Sequence, residues 1–231
     1  RPIFAAPALA PILNMRILLL DNFDSFTWNL HHLLEPLVET VDVVRNDAIT
    51  VDGAASYDRI VLSPGPGLPA EAGIMPELLT KLMPTHPILG ICLGMQGIVE
   101  ACGGTLFNQA RVMHGVEVPC LIEQPVDPLF LGLSSPFTIG LYHSWAADPA
   151  RLPAELRITA RSEQGVIMAL RHTRFSVCGV QFHPESVMTP LGGKVSTTGL
   201  TSGIQSRCPF GGTTTCPVAD RMVTRKRQSV P

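Results

Sequence analysis

Aromatic residues are scarce in this chain, 6% of 231 residues with two Trp and two Tyr, so few rings are available to stack bases. Positive charge is not in surplus either: the formal net charge is −2, which leaves no basic field for a phosphate backbone. Together these absences argue against nucleic acid as a partner. No apolar run approaches the roughly 20 residues that a membrane helix needs, so no membrane association is expected. None of the six cysteines forms a CxxC pair, and their spacing fits neither a disulfide framework nor a zinc site. A reducing, cytoplasmic setting with no metal and no cofactor is the expectation. What the chain does have is core material, 45% hydrophobic residues, enough for one large α/β domain.

The first fourteen residues, RPIFAAPALAPILN, imitate a signal sequence at Ala8-Leu9-Ala10, but Pro2, Pro7 and Pro11 interrupt the apolar run. Residues 1–14 are read as a disordered extension and 15–195 as the domain. Residues 196–231, rich in Ser, Thr, Gly and Pro, are read as a disordered tail whose Arg225-Lys226-Arg227 is a solvated run.

Within the domain, 16–20 is an apolar strand, 21–24 a polar turn, and Ser25 is placed to cap a helix that Pro36 ends. Runs 41–45 and 59–63 are rich in β-formers, and the second leads at once into Pro64-Gly65-Pro66-Gly67, which must be loop. A helix over 75–82 precedes a short apolar strand, 87–91. This alternation predicts an α/β fold: an open, mostly parallel to mixed sheet flanked by helices, with ligands at the carboxyl ends of its strands. Further strands are expected at 116–122, 137–141, 156–160, 165–170 and 177–182, and no helix beyond Lys194. His86 and His172 read as loop residues, His31 and His32 as solvated or at the core's edge, and Cys102, Cys120 and Cys178 as small core side chains.

Cys92 stands apart. It lies between glycines in Gly90-Ile91-Cys92-Leu93-Gly94, where the strand hands over to a helical pattern that Gly103-Gly104 stops. That is the shape of a nucleophile elbow, in which small neighbours permit a strained turn that exposes the side chain above the sheet. A thiol needs a base near neutral pH, and His183 ends a strand, with Pro184 after it and Glu185 two positions on. A carboxylate there can hold the imidazole tautomer, the third role in a Cys-His-Glu triad.

These residues resemble the class I glutamine amidotransferases, in particular the glutaminase subunits of anthranilate synthase and aminodeoxychorismate synthase. The likeness is carried by six ordered blocks: Leu20-Asp21-Asn22-Phe23-Asp24-Ser25-Phe26-Thr27, Ser63-Pro64-Gly65-Pro66-Gly67, Gly90-Ile91-Cys92-Leu93-Gly94-Met95-Gln96, Met113-His114-Gly115, Tyr142-His143-Ser144 and Gly179-Val180-Gln181-Phe182-His183-Pro184-Glu185-Ser186. It implies a flavodoxin-like sheet, L-glutamine as substrate, and Cys92, His183 and Glu185 as the triad. It also implies oxyanion donors at Gly67 and Leu93, and a glutamine site of Gly65, Pro66, Gly67, Gln96, Ser144 and Trp145. Gln96 sits four residues after Cys92, about one helical turn, and so can face the same pocket.

The implied product is ammonia for a chorismate-using synthase on another polypeptide, either anthranilate synthase component I or aminodeoxychorismate synthase component I. Met113-His114-Gly115-Val116 and Tyr142-His143-Ser144-Trp145 favour anthranilate, and hence tryptophan biosynthesis, over folate biosynthesis. A non-catalytic regulatory relative is the contrasting reading, against which the intact Cys92, His183 and Glu185 argue. Val116 stands where lysine is common in the family, Leu141 where arginine is, and both bear on partner contacts more than on the triad.

Overall fold

The computed structural model describes residues 13–201. The chain alternates β1 (Leu13–Asp21), α1 (Thr27–Leu34), β2 (Val38–Arg45), α2 (Val51–Ala54), β3 (Arg59–Leu62), α3 (Met75–Leu82), β4 (Ile88–Ile91) and α4 (Leu93–Ala101). It continues through β5 (Leu106–Ile122), β6 (Phe137–Ala147), β7 (Leu156–Ser162), β8 (Ile167–His172), β9 (Val177–Val180) and α5 (Gly192–Thr201). All these strands join one sheet in the order β2-β1-β3-β4-β9-β8-β7-β5-β6. From β2 to β9 the pairing is parallel, and from β9 outward it is antiparallel.

The inner strands of the parallel half are buried on both faces, which is why 17–20, 60–62 and 88–91 read as apolar runs, whereas β2, at the edge, is mostly part-buried. Ile17 and Leu19 of β1 turn to the face covered by Leu30 and Leu34 of α1 and Val195 of α5. Leu18 and Leu20 turn to the other, covered by Leu78 and Leu79 of α3 and Ile98 and Val99 of α4. In α3 the buried residues are Met75, Leu78, Leu79 and Leu82, one helical stripe, while Glu77 and Lys81 pair at 2.6 Å on the exposed side.

Several local expectations give way to competing interactions. Helix α1 begins at Thr27, and Ser25 does not cap it. Asp21 and Asp24 organise the turn instead: Asp21 Oδ1 accepts from Phe23 N (3.0 Å), Asp24 N (3.3 Å) and Thr27 Oγ1 (2.8 Å), and Asp24 Oδ1 accepts from Phe26 N (2.8 Å). Strand β1 begins at Leu13, and β5 and β6 run well beyond 116–122 and 137–141. His172 is the last residue of β8, not a loop residue. It is buried, its ring stacks on Phe175 at 4.4 Å, and its Nδ1 accepts from the amides of Arg174 and Phe175.

Contrary to expectation, a helix does run past Lys194. The sequence of α5, GGKVSTTGLT, has poor helix propensity, but Val195 and Ser196 are buried and the Thr198 hydroxyl donates to Leu129 O at 2.6 Å. Burial on the sheet outweighs propensity here. Residues 1–12 and 202–231, which contain most of the expected extension and tail, lie outside the described residues.

The antiparallel half curls until its outer strand, β6, returns to the segment that follows β9. His183 N donates to Gly140 O at 3.1 Å, and Gly140 N donates to Thr189 Oγ1 at 3.0 Å. A buried carboxylate braces this half: Asp127 is 0% exposed and takes Arg171 through Nε and Nη2, both at 2.8 Å, and Arg157 Nη2 at 2.5 Å. Burial alone would raise Asp127, but the guanidiniums and the Leu129 amide outweigh it and hold the carboxyl below its usual range. Among the described residues no helix is long and apolar enough to cross a membrane.

Candidate active site

Between β4 and α4 the chain turns at Cys92, whose φ of +50° and ψ of −101° are strained for a residue with a Cβ. The turn is pinned on both sides: Cys92 N donates to Val180 O at 2.8 Å, and Cys92 O accepts from Gln96 N at 3.0 Å. The flanking glycines are required by close approach. A Cβ on Gly90 would lie 2.5 Å from the carbonyl carbon of Gly94, and one on Gly94 would lie 2.6 Å from Leu62 O. The expected elbow is therefore present in geometry, with the Leu93 amide opening α4 among the N–H groups that have no intrahelical partner.

His183 follows β9, the strand paired with β4, so thiol and imidazole leave the sheet side by side. His183 Nδ1 meets Glu185 Oε1 at 2.6 Å, and both side chains are almost wholly buried. The other ring nitrogen, Nε2, is buried without a partner in good hydrogen-bond geometry, and the group it interacts with is Cys92. Burial alone would lower the imidazole, but the thiol and the carboxylate outweigh it and raise His183 to about 10. Such an imidazole is an imidazolium at neutral pH, opposite two acidic groups. Phe26 and Tyr142 pack edge-on against the ring, with centroids at 5.5 and 4.9 Å, and Tyr142 is fixed by its hydroxyl to Ser186 Oγ at 3.0 Å.

His143 is a second buried histidine of opposite character. Burial, joined by the nearby His183, lowers it to about 4 against the opposing hydrogen bond to Trp145 O, so it is neutral. Its Nδ1 donates to Trp145 O at 2.9 Å. Gln96 Nε2 donates to the same carbonyl at 2.9 Å and to Gln181 Oε1 at 3.3 Å, and Gln181 Nε2 donates to Cys92 Sγ at 3.5 Å.

The Pro64 loop is anchored by Asn22, whose N–H donates to Ser63 Oγ (2.8 Å) and whose Nδ2 donates to Ser63 O (2.9 Å). Gly65 abuts the elbow: a Cβ there would lie 2.7 Å from Leu93 Cδ2. Pro66 and Gly67 are exposed, and Gly67 takes a φ of +74°. Ser144 and Trp145 are half-buried in β6. Contacts thus link Gly65 to Leu93, and Gln96 and Trp145 to the cysteine's own hydrogen-bond chain. Among the described residues no hydrogen bond ties Ser144, Pro66 or Gly67 directly to Cys92.

Sequence reasoning assigned no role to Phe26, Tyr142, His143, Gln181 or Asn22, although all five lie in the blocks quoted above. Only Gln181 shares a block with triad residues; for the other four the signal was membership of the blocks that carry the family likeness. Val116 and Leu141 prove to be directly opposite each other across β5 and β6. Burial raises Cys102 to about 11 and Cys120 to about 12, which makes them poor nucleophiles. One group of metal-type donors occurs among the described residues, His31, His32 and Glu35 on the surface at the end of α1.

A doubly covered sheet thus carries a cysteine elbow beside a histidine–carboxylate pair, the layout of a thiol-nucleophile site. Residues 18–201 match the family Glutamine amidotransferase class-I, and the chain belongs to it. It is 44% identical over 178 residues to aminodeoxychorismate synthase component 2 of Escherichia coli strain K12, covering 76% of this chain and 94% of that one. It is 43% identical to aminodeoxychorismate/anthranilate synthase component 2 of Bacillus subtilis strain 168, covering 76% and 91%. To anthranilate synthase component 2 of Mycobacterium tuberculosis H37Rv it is 42% identical, covering 81% and 82%. Among solved structures, a protein from Thermoplasma acidophilum described as a GMP synthase subunit superposes with a TM-score of 0.74 at 25% identity, covering 84% of this chain and 96% of that one.

Proposed function

We propose that this chain is the glutaminase subunit of a chorismate-using synthase, hydrolysing L-glutamine and passing ammonia to a component I partner. The observation that carries this reading is the His183–Glu185 contact at 2.6 Å beside the left-handed Cys92 elbow, in a chain matched by the family over 18–201. With the thiol's proton already carried on His183 Nε2, the Cys92 thiolate attacks the side-chain amide carbon. The imidazolium then protonates the leaving ammonia, and water, deprotonated by the same imidazole, hydrolyses the γ-glutamyl thioester. Glu185 keeps Nδ1–H directed away from the thiol, so that Nε2 faces it.

Each tetrahedral step places negative charge on oxygen. The Leu93 amide at the start of α4 and the Gly67 amide of the neighbouring loop are the proposed donors, the first also favoured by the helix dipole. Gly65, Pro66, Gly67, Gln96, Ser144 and Trp145 are the proposed glutamine site. With both amide hydrogens committed to Trp145 O and Gln181 Oε1, Gln96 offers substrate only its oxygen. Relatives of nearly equal identity carry anthranilate and aminodeoxychorismate names, so identity does not separate the two acceptors.

The test mixes the chain with a component I synthase of each kind and follows glutamate and aromatic product. Cys92→Ser is expected to abolish glutamine-dependent synthesis and leave ammonia-dependent synthesis intact. Glutamine turnover that is unaffected by Cys92→Ser, or equal with and without either synthase and no complex, refutes the reading.

A further inference from the structure

His143, Trp145 O, Gln96 and Gln181 form a hydrogen-bonded chain that ends at the thiol and whose direction is set at the other end by backbone. Trp145 O can only accept. It takes hydrogens from His143 Nδ1 and Gln96 Nε2, both at 2.9 Å, which fixes the Gln96 amide with nitrogen toward the carbonyl. The second hydrogen of that nitrogen goes to Gln181 Oε1 at 3.3 Å, which fixes the next amide in turn. What remains to face Cys92 Sγ, at 3.5 Å, is an N–H of Gln181 Nε2. Turning either amide over would set oxygen against oxygen or NH2 against NH2 in a site where Gln96 is 3% exposed and Gln181 0%, and such an orphaned buried group is expensive. The backbone of Gln181 is itself held, its N–H donating to Met168 O at 2.9 Å.

We propose that Gln181 is a positioning residue for Cys92, its amide N–H holding the sulfur toward His183 and favouring the thiolate through a charge-assisted hydrogen bond. This rests on reading Cys92 as the nucleophile. The proton leaves Sγ for His183 Nε2 and the electron pair stays on sulfur, while Gln181 neither gives nor takes a proton. The thiolate then has two donors on different elements, the imidazolium from the loop after β9 and the amide one residue past β9 itself. Of the titratable groups in the site His183 faces the thiol, and Glu185 from the same loop and His143 from β6 act on His183.

Two variants of the full chain test this. Gln181→Met keeps the length of the side chain without a donor, and Gln181→Glu keeps the shape but sets an oxygen where the N–H stood. Without glutamine, alkylation of the Cys92 peptide by iodoacetamide is followed by mass spectrometry across the pH range. The rising limb is expected to move up by about one pH unit in Gln181→Met, a tenfold loss of thiolate, and further in Gln181→Glu. A role confined to packing would lower the melting temperature and leave this profile in place. In the synthase complex, kcat for glutamine is expected to fall roughly tenfold with KM little changed.

An unshifted alkylation profile in both variants overturns the proposal, whatever happens to kcat. A shifted profile with unchanged kcat sustains the N–H···S contact and counts against glutamine hydrolysis at Cys92. Should Gln181→Met fail to unfold cooperatively, the Gln181→Glu profile alone decides, in the same sense.

Discussion

Replacing Glu185 by glutamine removes one charge from the triad and leaves its shape, and the pH profile should show what that charge does. His183 is held at about 10 by the thiol and the carboxylate acting against burial. An opposite charge in direct contact moves a titration by 1–3 units, so neutralising Glu185 should bring His183 down by roughly two, to about 8. The group loses its proton as pH rises through that value. At pH 7 about nine-tenths of the imidazoles still carry the proton that departing ammonia needs; at pH 9 only about one-tenth do, against about nine-tenths in the parent.

The variant should therefore lose about tenfold more activity at pH 9 than at pH 7, on top of any pH-independent loss from a looser ring. Glutamine hydrolysis by the synthase complex, measured as kcat from pH 6 to 10, reads this directly, with ammonia-dependent synthesis as the control for the partner's own titrations. A parallel drop at all pH values would refute the charge argument. A much larger, pH-independent loss would point instead to the amide presenting its nitrogen to Nδ1 and forcing the wrong tautomer.

His183→Ala should be more damaging than Glu185→Gln at pH 7, since it removes the proton carrier and not its support; the reverse order in kcat would refute that division of labour. Gly94→Ala would set a methyl 2.6 Å from Leu62 O and 2.7 Å from Leu62 Cβ, and should cost about 1–3 kcal/mol in urea unfolding; an unchanged midpoint would mean that the elbow yields where the packing says it cannot. Asp127→Ala leaves Arg171 unpaired in the antiparallel half and should cost about 3 kcal/mol, the low end for a buried pair because Arg157 keeps access to water. Because the folded Asp127 is held below its unfolded value, its contribution is full above about pH 4 and disappears as pH falls. The parent should therefore lose stability on acidification more steeply than the variant, and identical acid limbs would refute the assignment.

Where the sequence was easiest to read, one interaction dominated. The stripe Met75, Leu78, Leu79, Leu82 makes α3 legible to the residue, and Gly90-Ile91-Cys92-Leu93-Gly94 shows its elbow because the strain there admits so few neighbours. The pair His183 and Glu185 was visible as spacing. Its meeting with Cys92 was expected from the chemistry of the thiol and from the resemblance, not from spacing, because it depends on β9 inserting beside β4 from 89 positions away in the chain. Strands β5 and β6 outran their expected ends because their outer portions carry His114, Gly115, Tyr142 and His143, residues that hide the alternation, of which Tyr142 and His143 lie against His183. Helix α5 was hidden for a different reason: its Gly and Thr content speaks against a helix, and only the sheet surface waiting for Val195 shows why one forms.

The parallel register of β4 and β9, Ile91 opposite Val180, has a consequence for how such a protein can vary. Just past that register Cys92 and Gln181 leave the sheet from strands about 4.8 Å apart, a length that hydrogen bonding sets and side chains cannot stretch. Everything threaded between those strands hangs on that gauge as an attachment. Its loops can lengthen or shorten, provided that Gly140 still comes back to meet His183 and Trp145 to meet Gln96. What such a chain can change between β4 and β9 is therefore the length of its loops, not the two strand ends that the register holds together.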